Sequence, residues 1–246
     1  MPYPIASTRG KNVGLLAGTE YYQKVLGIQS ANLLVYWRMN EASGSVAEDA
    51  TVNNRDGAYT GVLLGEPGIG DGYTCPWFDG VNDQNNIYST SLRDAFNGAE
   101  GTFACWYKVN DASVWTDGLF HMVVRLYVDG NNEIGLYKIS NNNTFRWEYE
   151  AGGVSKIRDS TSYAVTTWLH VGLVWSSAGD YVRAYANGGQ VGADMTTLGT
   201  WAGLLSSSYT RIGFSGSSLY LKGWLAHGAI WSIPLTGSEV TSLATL

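Results

Sequence analysis

From Leu33 onward the chain alternates strand-length apolar runs with clusters of Gly, Asn, Asp and Ser, and that alternation confines it to an all-β architecture. The runs are LLVYWRM, CPWFDG, TFACWYKV, LFHMVVRLYV, EIGLYKIS, TFRWEYE, WLHVGLVW, YVRAYA, TRIGF and GWLAHGAIW. Their spacing predicts a two-sheet antiparallel sandwich. Composition agrees, because 31 glycines serve tight turns and 10 Trp, 16 Tyr and 6 Phe suit strands. With 246 residues, 45% of them hydrophobic, the chain can bury a sizeable core as one β domain.

Turn chemistry sharpens the outline. Asn187-Gly188, between YVRAYA and GQV, is the dipeptide of a two-residue type I′ hairpin, whose central positions both need positive φ. DGNN (129–132) and SNNN (140–143) close two further hairpins, so residues 119–150 read as a three-strand meander. Residues 1–18 hold two prolines and no apolar period, and read as an extended arm. The stretch TEYYQKVLG predicts a helix of about two turns, with Thr19 as N-cap, Gly27 as stop and Tyr22, Val25 and Leu26 as its packing face. Residues 1–30 are thus arm and short helix, and 31–246 the β domain. Thr236 and Glu239 have capping-box spacing, predicting a short C-terminal helix behind Pro234.

A formal charge of −6, with no Lys/Arg cluster, makes nucleic acid an unfavourable partner. No stretch approaches the roughly 18 apolar residues of a membrane-spanning helix, and no Sec signal is read at the N-terminus. Cys75 and Cys105 have no zinc or framework spacing; two buried thiols are the expectation, a cross-strand disulfide the alternative.

Catalytic patterns are sparse. A sandwich glycosidase needs two carboxylates facing one sugar bond, about 5–5.5 Å apart for retention or about 6.5–9.5 Å for inversion. Glu148 and Glu150 stand two apart in TFRWEYE, on one strand face with Arg146, while Phe145, Trp147 and Tyr149 share the other. Whichever face is buried, the acids point away from the aromatics. No G-x-S-x-G elbow occurs, and GEPGIGDG (65–72), without a P-loop lysine, reads as a surface loop. His121, His170 and His227 lie in apolar runs and read as satisfied, half-buried imidazoles. Oxygen ligands for calcium are available from Glu41, Glu48, Asp49 and Asn53 in one polar run, and from Asp79, Asn82 and Asp83 in another. The same residues can instead set turns by bonding their own backbone.

The order of segments resembles the concanavalin A-like lectin/glucanase superfamily, in particular its laminin G-like jelly-roll modules. The resemblance rests on Tyr36-Trp37-Arg38-Met39-Asn40-Glu41-Ala42-Ser43-Gly44 with Asp49, Asn54 and Gly57-Ala58-Tyr59-Thr60-Gly61. It continues through Phe78-Asp79-Gly80 with Asp83, then Thr102, Phe103, Trp106 and Lys108, then Trp168, His170, Val171, Tyr185, Asn187 and Gly188. It ends on Gly223, Leu225, Ala226, Ala229, Ile230, Trp231, Leu235, Thr236 and Glu239. These motifs are individually weak and jointly specific, and they span residues 20–246. The resemblance implies two curved sheets packed face to face and a binding rather than a cutting role, since the E-x-D-x-x-E of the glucanase branch does not occur. Leu225-Ala226-His227 stands where many relatives carry an acidic calcium ligand, so no cofactor is expected beyond an optional structural calcium at Glu41, Asp49, Asp79 and Asp83.

Modules of this type are frequent in bacteriophage and bacterial surface proteins. The expectation is therefore a non-catalytic binding or decoration protein on a phage capsid or tail, made in the host cytoplasm, present in many copies or as a homo-oligomer. The arm or first helix would dock on the particle, and the sandwich would face solvent and host glycans. Sugar rings would stack on Trp115, Tyr127, Tyr137, Trp147 or Tyr149. The alternatives are a glycan hydrolase or lyase using Glu148 and Glu150, and a homo-oligomeric structural surface protein, which includes a place on a bacterial cell.

Overall fold

A computed structural model of the protein describes residues 13–140, 143–216 and 219–246, with side chains from Glu20 onward. Sixteen strands carry the fold. In chain order they are β1 (Leu33–Trp37), β2 (Val46–Ala47), β3 (Gly57–Thr60), β4 (Leu63–Pro67), β5 (Thr74–Asp79), β6 (Gln84–Asn86), β7 (Glu100–Lys108) and β8 (His121–Asp129). The second half supplies β9 (Asn132–Lys138), β10 (Phe145–Ala151), β11 (Val154–Asp159), β12 (Leu169–Ser176), β13 (Tyr181–Ala186), β14 (Gly189–Gln190), β15 (Arg211–Ile212) and β16 (Lys222–Trp231). Among the described residues three α-helices accompany them: α1 (Val13–Gly27), α2 (Thr90–Ala95) and α3 (Gly237–Leu243).

The strands form two antiparallel sheets. The first runs β14-β13-β12-β7-β16-β5-β4, with β1 also paired to β16; the second runs β11-β10-β9-β8-β15-β6-β3-β2. Between them lies an aromatic and aliphatic core that includes Trp37, Phe78, Phe103, Trp115, Trp147 and Trp175. Burial along individual strands tells the two sheets apart. All eight residues of β12 are buried, because α1 and α3 cover part of the first sheet's outer face through Tyr21, Val25, Val240 and Leu243. In β10 burial alternates strictly, so the second sheet turns one face to the core and one to water.

Local chemistry accounts for the connections. Asn187 (φ 48°) and Gly188 (φ 79°) make the type I′ turn between β13 and β14. The β8-β9-β10 meander forms as read, with β11 added as a fourth strand; of SNNN, residues 141–142 lie outside those described. The Thr236/Glu239 capping box opens α3. Cys75 and Cys105 are unlinked and buried.

Three expectations are corrected. The first helix begins at Val13, so Thr19 is no cap and residues 13–18 are helical rather than extended; residues 1–12 lie outside those described. Besides Val25 it buries Tyr21, whose hydroxyl accepts from Trp106 Nε1 at 2.7 Å and donates to the Leu243 carbonyl at 2.8 Å. The Gly-rich 65–72 run is no mere surface loop: it begins in β4 and buries Asp71. The short polar strands β2, β3, β4, β6 and β11, and helix α2, carry too few apolar residues to be read as core elements from sequence.

Candidate functional site

The open face of the second sheet is built by register. Across β6, β15, β8, β9, β10 and β11, the residues Asn86, Arg211, Arg125, Gly135, Glu148 and Ile157 stand side by side. Gly135 brings no side chain to this row, so the sheet dips between Arg125 and Glu148 into a depression of about 180 Å³. That is below the roughly 300–1,000 Å³ of sites that enclose a ligand, and fits one ring-sized group lying on the surface.

Polar groups around the dip are held in place. Arg125 donates through Nε to Glu133 Oε2 at 2.9 Å, and through its terminal nitrogens to Glu133 and the Ser215 carbonyl. Tyr137 donates its hydroxyl to Glu148 Oε2, and Ser155 donates to Oε1. Burial, reinforced by the Glu148 charge, raises the Tyr137 phenol above its ordinary range, so it stays a donor. One oxygen from each of Glu133, Glu148 and Glu150 lies within 4.8 Å of the others. Burial first, then the charges of Glu133, Glu148 and Asp129, holds the Glu150 carboxyl above the usual carboxylate range. Ser215 also lines the dip, 3% exposed, and its hydroxyl has no hydrogen-bond partner among the described residues. A buried hydroxyl left unpaired carries a desolvation cost that a ligand oxygen would relieve.

Phe120 and Tyr137 line the depression. Their rings stand 6.0 Å apart, and on the far side of Arg125 Tyr127 and Tyr209 meet edge to face at 5.3 Å. The Arg125 guanidinium lies 4.1 Å from the Tyr127 ring centroid and fixes that ring.

The five sequence-derived stacking candidates divide sharply. Tyr127 and Tyr137 are partly exposed on this face. Trp115, Trp147 and Tyr149 are at most 2% exposed, inside the core, where no ring face is open to a sugar. Arg125, Gly135 and Ser215 were not singled out from sequence, because register and the loop after β15 bring them together.

The four calcium candidates fall on two loops and are engaged by donors. Asp49 accepts from the amides of Tyr36, Thr51 and Arg55 and from the Thr51 hydroxyl, at 2.9–3.1 Å. Glu41 accepts from the Glu48 amide and the Tyr59 hydroxyl. Asp79 accepts from the amides of Val81 and Asn82, and Asp83 from that of Asp79. These are turn-setting contacts, and hydrogen-bond donors are what a cation would have to displace.

The histidines are fully rather than half buried. His121 lies between Asp117 Oδ2 and the Tyr220 carbonyl, both at 2.7 Å. Asp117 also accepts from the buried Lys138; burial opposes its ionisation, but hydrogen bonds from Lys138 and His121 bring it below the usual range. His227, at φ 56° on a register shift of β16, joins Tyr36 Oη (2.6 Å) to Asp71 Oδ2 (3.0 Å) beneath α1. His170 packs edge-on against Trp106, with Nδ1 unpartnered among the described residues. None of the three lines the depression.

A sequence profile of the concanavalin A-like lectin/glucanases superfamily matches residues 79–241, more than half of the chain. The chain belongs to that superfamily. Among solved structures, domain 4 of AbnA, an arabinanase of Geobacillus stearothermophilus solved with arabinotriose, is 17% identical with a TM-score of 0.63, over 87% of this chain and 98% of that domain. A Trypanosoma rangeli sialidase with sialic acid is 16% identical with a TM-score of 0.68, over 94% of this chain but 37% of the sialidase. A botulinum neurotoxin serotype D binding domain is 15% identical with a TM-score of 0.63, over 87% of this chain and 51% of that domain. At these identities the likeness is one of fold. No curated protein sequence matches the chain.

Proposed function

We propose that this member of the superfamily is a non-catalytic saccharide-binding module whose ligand lies across the open face of the second sheet. The observation that carries the reading is the dip over Gly135: Phe120 and Tyr137 in its lining, fixed donors and acceptors along its sides, and the Ser215 hydroxyl, unpartnered among the described residues, in its wall. A pyranose placed there would rest its apolar face on Tyr137 or Tyr127 and its hydroxyls on Arg125, Glu148 and Ser215. Glu133 is held by Arg125 and Glu148 by Tyr137, an arrangement suited to orienting sugar hydroxyls.

A glycan array, followed by calorimetry on the best hit, tests this reading. Gly135→Val fills the dip with a residue suited to a strand and is expected to weaken binding at least tenfold, with folding kept. Binding that survives this variant, or an array without hits, would refute it. A hydrolytic reading draws on one observation, the raised Glu150 carboxyl beside Glu148; turnover of a bound glycan that is lost in Glu148→Gln/Glu150→Gln would establish it. A place on a bacteriophage capsid or tail, in many copies, is a further part of the proposal and draws on the segment resemblance alone. Peptides of this chain in purified particles would support it.

A further inference from the structure

The helices leave part of the first sheet's outer face uncovered. Beyond α1, cross-strand register lines up Leu63 of β4, Trp77 of β5, Trp224 of β16 and Lys108 of β7. Trp168 immediately precedes β12, the strand on the other side of β7, and completes the row. All three indoles are partly exposed. Trp77 and Trp224 have centroids 4.6 Å apart, inclined at 51°. The Lys108 ammonium sits 4.7 Å from the Trp224 ring centroid and 5.9 Å from that of Trp168.

The chain has a net charge of −6; Arg93, Arg125, Arg146, Arg183 and Lys138 have carboxylate partners, whereas Lys24, Arg38, Arg55, Lys156, Arg158 and Arg211 make no ion pair among the described residues. Among the described residues Lys108 makes no ion pair, nor does Lys222, which shares the outer face of β16 with Trp224 two residues on and whose charge reaches Asp111. Asp79, opposite Lys222 in register, directs its carboxylate to the amides of Val81 and Asn82 instead. An ammonium held over two of three indoles, with a second lysine on the same strand face, is a poor core for a protein interface, where lysine is depleted, but suits a ligand that is both a ring and an anion.

We propose that this row is a second site, on the opposite side of the sandwich from the depression, for a saccharide bearing carboxylates. A pyranose face stacks on the Trp77/Trp224 pair, and its uronate group draws the Lys108 ammonium off the indole faces into a charge-assisted hydrogen bond, with Lys222 as the second cation. The inference stands apart from the open-face reading, and its experiment separates the two.

Affinity electrophoresis at physiological salt in gels containing polygalacturonate, or the same polymer with its carboxyls methyl-esterified, provides the test. The wild-type chain is expected to be retarded by the acid form, and at least tenfold less by the ester. Lys108→Met, which keeps an apolar stem at a surface position, is expected to lose at least tenfold in affinity, as is Trp224→Ala if it folds. Gly135→Val is expected to bind as wild type. Absence of retardation, equal retardation by acid and ester, or sensitivity to Gly135→Val but not to Lys108→Met would overturn the proposal.

Discussion

His170 and His227 are buried imidazoles beneath the helical cover of the first sheet, and that position makes the molecule acid-sensitive in a defined window. Burial lowers the His170 pKa from 6.5 to about 3. Burial also lowers that of His227, against the opposing pull of Asp71. The unfolded chain therefore takes up a proton near pH 6.5 that folded His170 refuses until about pH 3. The stability involved is complete above pH 6.5 and is lost as pH falls through that interval. At pH 5 the His170 share is about 2 kcal/mol. Urea unfolding at pH 7.5 and pH 5 checks this: His170→Phe should flatten the difference by that amount, and an unchanged difference would show that His170 is not the group responsible.

At the scale of elements, the β13-β14 hairpin tests the link from sequence to turn. A Cβ added to Gly188, at φ 79°, would come within 3.0 Å of Thr241 Cα and 3.1 Å of Ala244 Cβ in and just after α3. Gly188→Ala should cost more than about 1 kcal/mol in denaturant unfolding. Gly189→Ala, whose Cβ would sit at an ordinary 3.6 Å from the Ala186 carbonyl, should cost little and serves as control. This hairpin was legible because the turn's φ requirement is written in two adjacent residues. The extent of α1 was not, since a Pro- and Gly-bearing stretch with weak apolar periodicity gives no start signal of its own. The alternation in TFRWEYE separated Glu148 from Trp147, but could not say which set faces inward; packing against Trp175 and its neighbours decided that. Tyr127 and Tyr137 could be proposed from residue type alone. Gly135, Arg125 and Ser215 could not, since a dip in a sheet arises where neighbouring strands differ in side-chain height, and register across strands is not printed in any one of them.

For the molecule as a whole, the loops that join the sheets are closed by their own hydrogen bonds. With Glu41, Asp49, Asp79 and Asp83 engaged by amides and hydroxyls, a chelator should leave the thermal midpoint unchanged; a midpoint that falls with chelator and recovers with calcium would show that an ion holds these loops. Covalent closure plays no part either. Burial first, with the nearby charge of Glu66, pushes the Cys75 thiol up to about 12, and burial raises Cys105 further, so neither offers a thiolate at neutral pH. The fold consequently offers reductants no bridge between its two cysteines to open, and both thiols lie buried away from oxidants in solution.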